Sequence, residues 1–169
     1  RSQKGFQPYR GPSWISDRKA KDGVGHESVD SGTWNVFYLE LHNMKFDKNC
    51  EKVPFTMDLI NKHIPNPYHH AFFSALTTNS HIMSHYGPTN KKLRFHLPLI
   101  GVKGSRMRVG KKLEQEEGKA YVFDDSFEHE AWHDGEETRL ILIVDFWHPD
   151  LTAVEMKLLK VFQNALFKA

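Results

Sequence analysis

Cysteine is almost absent, since Cys50 is the only one among 169 residues. A single thiol excludes an intrachain disulfide and a cysteine-based structural zinc site. The chain also has no Asn-x-Ser/Thr glycosylation sequon, which favours a protein that does not enter the secretory pathway. We therefore expect a cytoplasmic protein. Because the chain begins with Arg1, a fragment of a membrane-anchored or secretory-pathway protein stays open as the alternative.

Long apolar runs and an excess of charge of one sign are also missing. No stretch approaches the roughly 20 apolar residues of a membrane span, so we expect no membrane span in this chain. The 23 basic and 21 acidic side chains are interspersed and give a formal net charge of +2. Such a balance does not indicate a nucleic-acid partner.

The chain has the length of one ordinary domain, with regular structure predicted from residue 34 onward. Residues 1–33 contain glycine, proline, serine and charge without periodicity, which predicts an extended or partly disordered arm. Residues 34–169 then form a single domain. A short helix is predicted over residues 54–63, opened by a proline. Strands are predicted over 34–41, 71–76, 82–85, 93–100, 105–109, 120–123 and 138–146.

Short strands that are separated by turns rather than by helices favour a mainly β sandwich or jelly-roll barrel. A C-terminal helix is also predicted. Thr152 and Glu155 have the spacing of a capping box. The apolar residues that follow at helical spacing are expected to pack against the barrel, with an oligomer interface as the alternative: Val154, Leu158, Val161, Phe162 and Ala165.

Histidine is abundant, with 11 residues in the chain. His85 ends one predicted strand, and His129 lies near the end of another strand 44 residues later. In a rolled-up sheet these separated positions can face each other across the mouth of the barrel. Two imidazoles that meet there could hold a divalent metal.

Two further charged positions fall on predicted strands. In "LRFHLPLI", Arg94 and His96 share one face, which either meets water or lines a polar cavity. Arg139 is the only charge at the head of the apolar strand in "TRLILIVDFW". A buried guanidinium needs an anionic partner. That partner is either a bound carboxylate ligand or one of three nearby acids: Asp124, Asp125 and Glu128.

Two stretches together resemble the aspartyl/asparaginyl β-hydroxylase family of iron(II)- and 2-oxoglutarate-dependent oxygenases. They are "SHYGPTNKKLRFHLPLIG" and "EEGKAYVFDDSFEHEAWHDGEETRLILIVDFWHPDL". The resemblance implies a double-stranded β-helix, a cupin-like jelly roll, with iron(II) held by His85 and His129. Related oxygenases place a carboxylate ligand two residues after the first histidine. Gly87 stands there in this chain, as in the β-hydroxylase branch.

The resemblance also implies 2-oxoglutarate as cosubstrate. By similarity, Arg139 and Ser74 bind its distal carboxylate, and Arg94 and His96 lie beside its 1-carboxylate. The implied reaction hydroxylates an unactivated carbon with dioxygen and yields succinate and carbon dioxide. Such an enzyme needs no side chain as nucleophile or general base, because the metal performs the difficult step.

The substrate implied by the resemblance is an Asp- or Asn-containing peptide or protein, hydroxylated at the β-carbon, or a small acidic compound. Lys92 is a candidate for binding it, although the family more often has arginine at this position. Trp34 is a candidate for the substrate entrance, with a buried anchoring position as the alternative. A free amino acid and a lipid-linked acyl chain stay open as substrates. A metal-binding cupin with another activity and a catalytically silent binding module remain alternative functions.

Overall fold

The computed structural model describes residues 5–11 and 27–168. Helices in this part are α1 (Asp47–Cys50), α2 (Pro54–His63) and α3 (Ala153–Lys168). Strands are β1 (Gln7–Pro8), β2 (Val29–Ser31), β3 (Trp34–Leu41), β4 (Met44–Lys45), β5 (Pro67–Leu76), β6 (Ser80–His85), β7 (Lys92–Ile100), β8 (Ser105–Val109), β9 (Lys111–Glu114), β10 (Tyr121–Phe123), β11 (His129–His133) and β12 (Arg139–Trp147).

The strands form two antiparallel sheets. The larger sheet has the order β1-β3-β5-β12-β7-β10, with β4 added beside β3, and the smaller has the order β2-β6-β11-β8-β9. Most neighbours within a sheet are distant in sequence, as in a jelly roll whose chain crosses repeatedly between sheets. The predicted mainly β, cupin-like double-stranded β-helix is confirmed.

Two apolar cores pack on opposite faces of the larger sheet. Alternate residues of β3 point to opposite faces, so Val36 and Tyr38 join the core between the sheets. Phe37 and Leu39 join a second core, which also contains Met57 of α2. Because both faces of β3 are covered, this strand is apolar nearly throughout.

The sequence predicted β3, α2 and β8 to the residue, and β5, β6, β7, β10 and β12 with shifted ends. It missed α1, β4, β9 and β11. Within the predicted arm, β1 pairs with β3 and β2 pairs with β6. The rest of that arm, residues 1–4 and 12–26, lies outside the described residues.

The capping box that begins α3 is confirmed. The Thr152 backbone N–H donates to Glu155 Oε2 at 2.8 Å, and the Glu155 N–H donates to Thr152 Oγ1 at 3.3 Å. Among helices of the described residues, none has the length and apolar character that crossing a bilayer requires.

The predicted packing face of α3 was wrong. All five residues of the predicted apolar stripe are exposed: Val154, Leu158, Val161, Phe162 and Ala165. The inner face is instead offset around the helix and carries Met156, Leu159, Lys160 and Gln163. The polar contacts of Gln163 and Asn164 with the turn after β3 account for this rotation, since the Asn43 amide donates to both side chains.

Candidate active site

Two histidines meet where β6 ends and β11 begins. His85 and His129 are direct cross-strand partners, and their ring centroids lie 4.1 Å apart. Nδ1 of His85 lies 2.7 Å from the Met83 carbonyl, and Nδ1 of His129 lies 2.8 Å from the Phe127 carbonyl. A carbonyl can only accept, so each Nδ1 carries a proton, and in the neutral form of each ring Nε2 carries the lone pair. Metal-ligating histidines are oriented by hydrogen bonds of this kind.

His129 is electrostatically suited to binding a cation. Burial, with the neighbouring His85 as the next cause, lowers the pKa of His129 to about 3. This imidazole is therefore neutral near pH 7, as a metal ligand must be. Within residues 5–11 and 27–168, no third histidine, cysteine or carboxylate joins the pair to form a larger metal-binding group. Two imidazoles are thus the donor set that this part of the chain offers.

Position 87 has no room for a side chain. The Gly87 N–H donates to the backbone oxygen of Asp125 at 2.6 Å. A Cβ on Gly87 would lie 2.6 Å from Asp125 Cγ and 2.8 Å from that backbone oxygen. Glycine is therefore required by the close approach of the Asp125 loop, whose carboxylate lies beside the space that a residue-87 side chain would enter.

Arg139 is buried without a carboxylate. Its Nη1 donates to Gln115 Oε1 at 3.2 Å, and its Nη2 donates to Ser74 Oγ at 3.4 Å. Within the described ranges its Nε is buried and has no hydrogen-bond partner. Burial lowers the pKa of Arg139 to about 10. The guanidinium therefore retains donor capacity for an anion.

The acids considered as protein partners of Arg139 are engaged elsewhere. Asp125 pairs with Lys92, and Glu128 pairs with Arg108. Asp124 accepts the backbone N–H of Ser126. The alternative of a structural salt bridge at Arg139 is therefore wrong for these three acids. A bound carboxylate is the alternative that stays open.

Ser74 links Arg139 to Trp34. Its Oγ accepts hydrogen bonds from Trp34 Nε1 at 2.9 Å and from Arg139. The serine O–H is therefore available to donate to an anion beside the guanidinium. Trp34 lies in the core between the sheets and stacks on Tyr9 with ring centroids 3.8 Å apart.

His96 lies on the inward face of β7, between the histidine pair and Arg139. Nδ1 of His96 is 2.9 Å from the Tyr121 hydroxyl, which accepts a hydrogen bond from Gln115 Nε2 at 2.5 Å. The Tyr121 O–H can donate either to His96 Nδ1 or to Met107 Sδ at 3.4 Å, and donation to Nδ1 leaves the proton of His96 on Nε2. That atom is buried and, in the described part of the chain, has no partner. Phe123 contacts both His96 and His129, and His96 contacts Tyr121. A continuous row of rings therefore runs from the histidine pair to Tyr121, which Gln115 links to Arg139.

A buried ion cluster occupies the other end of the inward face of β7. Arg94 donates through Nε and Nη2 to Asp145 at 2.7 and 2.8 Å, and its Nη1 lies 3.1 Å from Asp125. The Lys92 ammonium lies 2.7 Å from Asp125 and 3.1 Å from Asp145. His70 Nδ1 is 2.9 Å from Asp145. The two candidate ligand-binding cations are therefore already paired with protein carboxylates.

A cavity of about 420 Å³ adjoins this cluster. His85 and His129 contribute to one part of its wall, and Leu159 and Phe162 of α3 contribute to another. Much of the remaining wall is aromatic and includes Tyr38, Tyr68 and Trp147. Its volume falls within the range of small-molecule sites. The histidine pair thus lies in the wall of a cavity that combines aromatic side chains with charged ones, among them Lys92, Arg94 and Asp125.

The sequence reasoning missed Gln115, Tyr121, Asp145 and His70. Asp145 carried a readable signal, because it is the only acid within the apolar run "LILIVDFW". The requirement for a partner that applies to Arg139 applies equally to this carboxylate. Gln115 stands alone in a polar loop and carried no such signal.

Comparison with known proteins gives consistent matches. A sequence profile described as "Aspartyl/Asparaginyl beta-hydroxylase" matches residues 10–149. The chain is 39% identical over 128 residues to the mouse protein named aspartyl/asparaginyl beta-hydroxylase, which covers 73% of this chain and 17% of that protein. It is 36% identical over 153 residues to human aspartate beta-hydroxylase domain-containing protein 2, with 86% and 42% covered.

A bacterial relative has a different substrate in its name. The chain is 38% identical over 120 residues to the ornithine lipid ester-linked acyl 2-hydroxylase of Rhizobium tropici, with 69% of this chain and 42% of that protein covered. The names of all three relatives contain the word hydroxylase, and the chain spans less than half the length of each. Helix α3 begins at Ala153, beyond the stretch that matches the profile.

Proposed function

Because the chain belongs to the aspartyl/asparaginyl β-hydroxylase family, we propose that it is an iron(II)- and 2-oxoglutarate-dependent hydroxylase. The observation that carries this proposal is the buried Arg139, which lies beside Ser74 without a carboxylate partner among the described residues. An anionic cosubstrate would supply the missing charge. The pair of His85 and His129 would supply the metal ligands, at the end of the row of rings away from Arg139.

The histidine pair would hold the metal through the two Nε2 atoms. The carbonyls of Met83 and Phe127 fix the tautomer and ring orientation of both side chains, which raises the basicity of the ligating nitrogens. Two protein ligands leave several coordination positions for the cosubstrate, water and dioxygen. Bound iron(II) supplies the activation of dioxygen that no protein side chain can perform.

Three side chains would bind the two carboxylates of 2-oxoglutarate. Arg139 and the O–H of Ser74 are placed for the distal carboxylate, where a guanidinium gives charge-assisted hydrogen bonds. His96 would donate from Nε2 to the 1-carboxylate, and the Gln115–Tyr121 chain would hold the proton on that nitrogen. Arg94 would act on the same carboxylate mainly through its field, since its Nε, Nη1 and Nη2 each contact Asp145 or Asp125.

The proposed reaction hydroxylates a carbon next to a carbonyl carbon. The β-carbon of aspartate or asparagine is bonded to the side-chain carbonyl carbon, and C2 of an acyl chain is bonded to the ester carbon. The names of the relatives thus share one chemical position. For this chain we propose the β-carbon of an Asp or Asn residue in a peptide or protein, or the equivalent carbon of a small acidic compound, as the target.

Succinate formation tests the proposal. Wild type should form succinate only when iron(II), 2-oxoglutarate and dioxygen are all present. His129→Ala should abolish this turnover with the fold intact, because a single imidazole cannot hold iron at micromolar metal. His63→Ala, at the exposed end of α2, is the matched control and should keep wild-type turnover.

Two results would contradict the proposed hydroxylase function. Turnover of His129→Ala above about a tenth of wild type would mean that His129 is not a ligand. Metal binding by wild type without any succinate under all conditions would favour a silent metal-binding cupin. Circular dichroism of each variant distinguishes these outcomes from loss of the fold.

A further inference from the structure

We propose that the cavity contains a second binding site, closed by α3, for a large apolar side chain directly next to the target residue of a substrate peptide. The inference rests on the proposed function, which places the target Asp or Asn at the histidine pair. This second site is the apolar lobe of the cavity. It is formed by six of the side chains that line the cavity: Tyr38, Leu41, Tyr68, Trp147, Leu159 and Phe162.

The part of the cavity next to the histidine pair is cationic. Its wall contains four cations: Arg10, Lys91, Lys92 and Arg94. In the described part of the chain the wall contains one acid, Asp125. Arg94 makes three contacts with Asp145 and Asp125, and Lys92 makes two. A guanidinium and an ammonium each have more N–H groups than these contacts use, so this part suits the side chain of the target residue.

The apolar lobe begins directly beside these cations. Trp147 is the cross-strand partner of Lys92, and its ring lies against that of Tyr68 with centroids 4.6 Å apart. Paired residues of neighbouring strands are about 5 Å apart, and consecutive Cα atoms of a peptide are about 3.8 Å apart. When one residue of a peptide contacts Lys92, the side chain of the adjacent residue can therefore reach the lobe.

Helix α3 closes the far side of the lobe. Leu159 and Phe162 line the cavity from this helix, and Gln163, which is buried, lines it too. Gln163 Nε2 lies 3.5 Å from His42 Nδ1, and the rings of His42 and His70 lie 5.7 Å apart. The helix follows residue 149, where the match to the family profile ends. The lobe thus gives this chain a means of substrate selection that the family match does not define.

His70 adds a neutral hydrogen-bond acceptor to this part of the cavity wall. Its Nδ1 lies 2.9 Å from the Asp145 carboxylate, which can only accept, so Nδ1 carries the proton and Nε2 of the neutral ring carries the lone pair. Burial lowers the pKa of His70, and it lowers the pKa of His42 to about 4. Both rings are therefore neutral near pH 7. A peptide N–H can donate to the lone pair of His70, whereas a hydrocarbon chain has no donor to offer.

An aromatic side chain matches the lobe best. Tyr38, Tyr68 and Trp147 present rings to the cavity, and contacts between rings stabilise beyond the burial of apolar area. A flexible acyl chain also loses more conformational freedom on binding than a ring does. We therefore expect phenylalanine next to the target Asp or Asn to strengthen binding.

Matched dipeptides test the lobe. They are the N-acetyl, N-methylamide derivatives of phenylalanyl-aspartate and aspartyl-phenylalanine, each with a counterpart in which alanine replaces phenylalanine. Binding to the full chain is measured by isothermal titration under nitrogen, with iron(II) and 2-oxoglutarate present and again without them. At least one phenylalanine compound should bind about tenfold or more tightly than its alanine counterpart under both conditions, because side chains alone form the lobe. Equal affinities within both pairs would overturn the inference.

An acyl compound tests the choice of a peptide. The N-octanoyl derivative of aspartate N-methylamide carries an apolar chain in place of the phenylalanine residue. It should bind more weakly than the better phenylalanine compound, since it cannot stack on the rings of the lobe and its chain is flexible. Tighter binding of the octanoyl compound would overturn the assignment of the lobe to a peptide side chain.

The visible absorption of the samples that contain iron(II) and 2-oxoglutarate keeps the two proposals apart. A charge-transfer band together with equal affinities within both pairs overturns the inference and supports the proposed function. If the band is absent at saturating ligand but the preference for phenylalanine is present, the proposed function fails and the second binding site stands.

Two adjacent leucines of α3 test the location of the site. Leu159→Asn places a polar group in the lobe, and Leu158→Asn makes the same change at an exposed position that does not line the cavity. The preference for phenylalanine over alanine should fall by about threefold to tenfold in Leu159→Asn and stay at the wild-type ratio in Leu158→Asn. An unchanged ratio in folded Leu159→Asn would overturn the placement of the side chain against α3. If Leu159→Asn does not fold, Leu159→Ala and Leu158→Ala give the same comparison.

Discussion

Arg94 and Asp145 face each other across β7 and β12 and share two hydrogen bonds, from Nε to Oδ1 at 2.7 Å and from Nη2 to Oδ2 at 2.8 Å. Asp145 also contacts Lys92 of β7 and His70 of β5. One carboxylate on the central strand therefore orients polar side chains from both neighbouring strands. Burial opposes its ionisation, but Arg94 and Lys92 hold the pKa of Asp145 well below its usual range.

Asp145→Asn should destabilise the fold, because it leaves the buried Arg94 and Lys92 with one carboxylate, Asp125, between them. We expect the free energy of unfolding to fall by about 3 to 5 kcal/mol, as is typical when a buried ion pair loses one partner. Urea denaturation followed by circular dichroism measures the change. Asp150→Asn, at an exposed position after β12, should stay within about 0.5 kcal/mol of wild type. Equal effects of the two substitutions would contradict the role of Asp145.

His96→Gln should reduce the pH dependence of stability. Burial, assisted by Arg94 and Arg139, lowers the pKa of His96 well below its ordinary value. The unfolded chain binds a proton at His96 near pH 6.5 and the folded chain does not. The contribution of His96 to the free energy of unfolding is therefore fully present above about pH 6.5 and is lost as the pH falls below that value.

Metal-free wild type should therefore lose up to about 1.4 kcal/mol per pH unit on account of this residue between about pH 6 and about pH 5. The slope of the unfolding free energy against pH, from urea curves, should be smaller by that amount in His96→Gln. His63→Gln, at the exposed end of α2, should keep the wild-type slope. If the His96 variant keeps it too, this histidine does not remain neutral in the folded protein.

Gly87→Ala should destabilise through a steric clash. The new Cβ would lie 2.6 Å from Asp125 Cγ, so either the backbone or the Lys92–Asp125 pair must move. We expect a loss of about 1 to 3 kcal/mol, as for other overpacked sites. Gly110→Ala is a useful comparison, because no atom lies within 4 Å of its added Cβ and its cost comes from a φ of +67° alone. If Gly87→Ala unfolds at the same temperature as wild type, the Asp125 loop can move away from the new Cβ without a cost in stability.

Arg139→Gln should weaken 2-oxoglutarate binding and leave the metal affinity nearly unchanged, since Arg139 and the histidine pair lie at opposite ends of the row of rings. A charge-assisted contact in a closed site corresponds to roughly a thirty- to thousand-fold change in affinity. Equilibrium dialysis under nitrogen with labelled 2-oxoglutarate measures this change. Arg106→Gln, on β8 with Asp134 as its partner, is the control. Equal affinity of Arg139→Gln and wild type would exclude a role for Arg139 in binding the cosubstrate.

The accuracy of the predicted elements follows from their local signals. Proline opens α2, and aromatic and β-branched residues run through β3, so both could be delimited from the sequence. The short strand β2 carried no comparable signal, because its pairing with β6 is a long-range contact. The packing face of α3 was mispredicted for a related reason. Apolar spacing defines a stripe, but contacts of Asn164 with Asn43, 121 residues away, orient the helix.

The candidate site, too, could be predicted from the sequence only in part. The sequence indicated that His85 and His129 could face each other, and they are cross-strand partners, although no strand was predicted over residues 129–133. The pairing of Arg94 with Asp145 depends on the register of β7 against β12, and a shift of one residue would place these side chains on opposite faces. Sequence motifs therefore identified the cations of β7, but not the two carboxylates that neutralise them.

Anaerobic titration of iron(II) together with 2-oxoglutarate tests the proposed cofactor pair most directly. Wild type should develop the weak visible charge-transfer band of a keto acid chelated to iron(II), and the band should saturate with added 2-oxoglutarate. His129→Ala should give no band at the same concentrations, and His63→Ala should give the wild-type spectrum. The absence of the band from folded wild type at saturating iron(II) and 2-oxoglutarate would contradict the assignment of this chain as a 2-oxoglutarate-dependent hydroxylase.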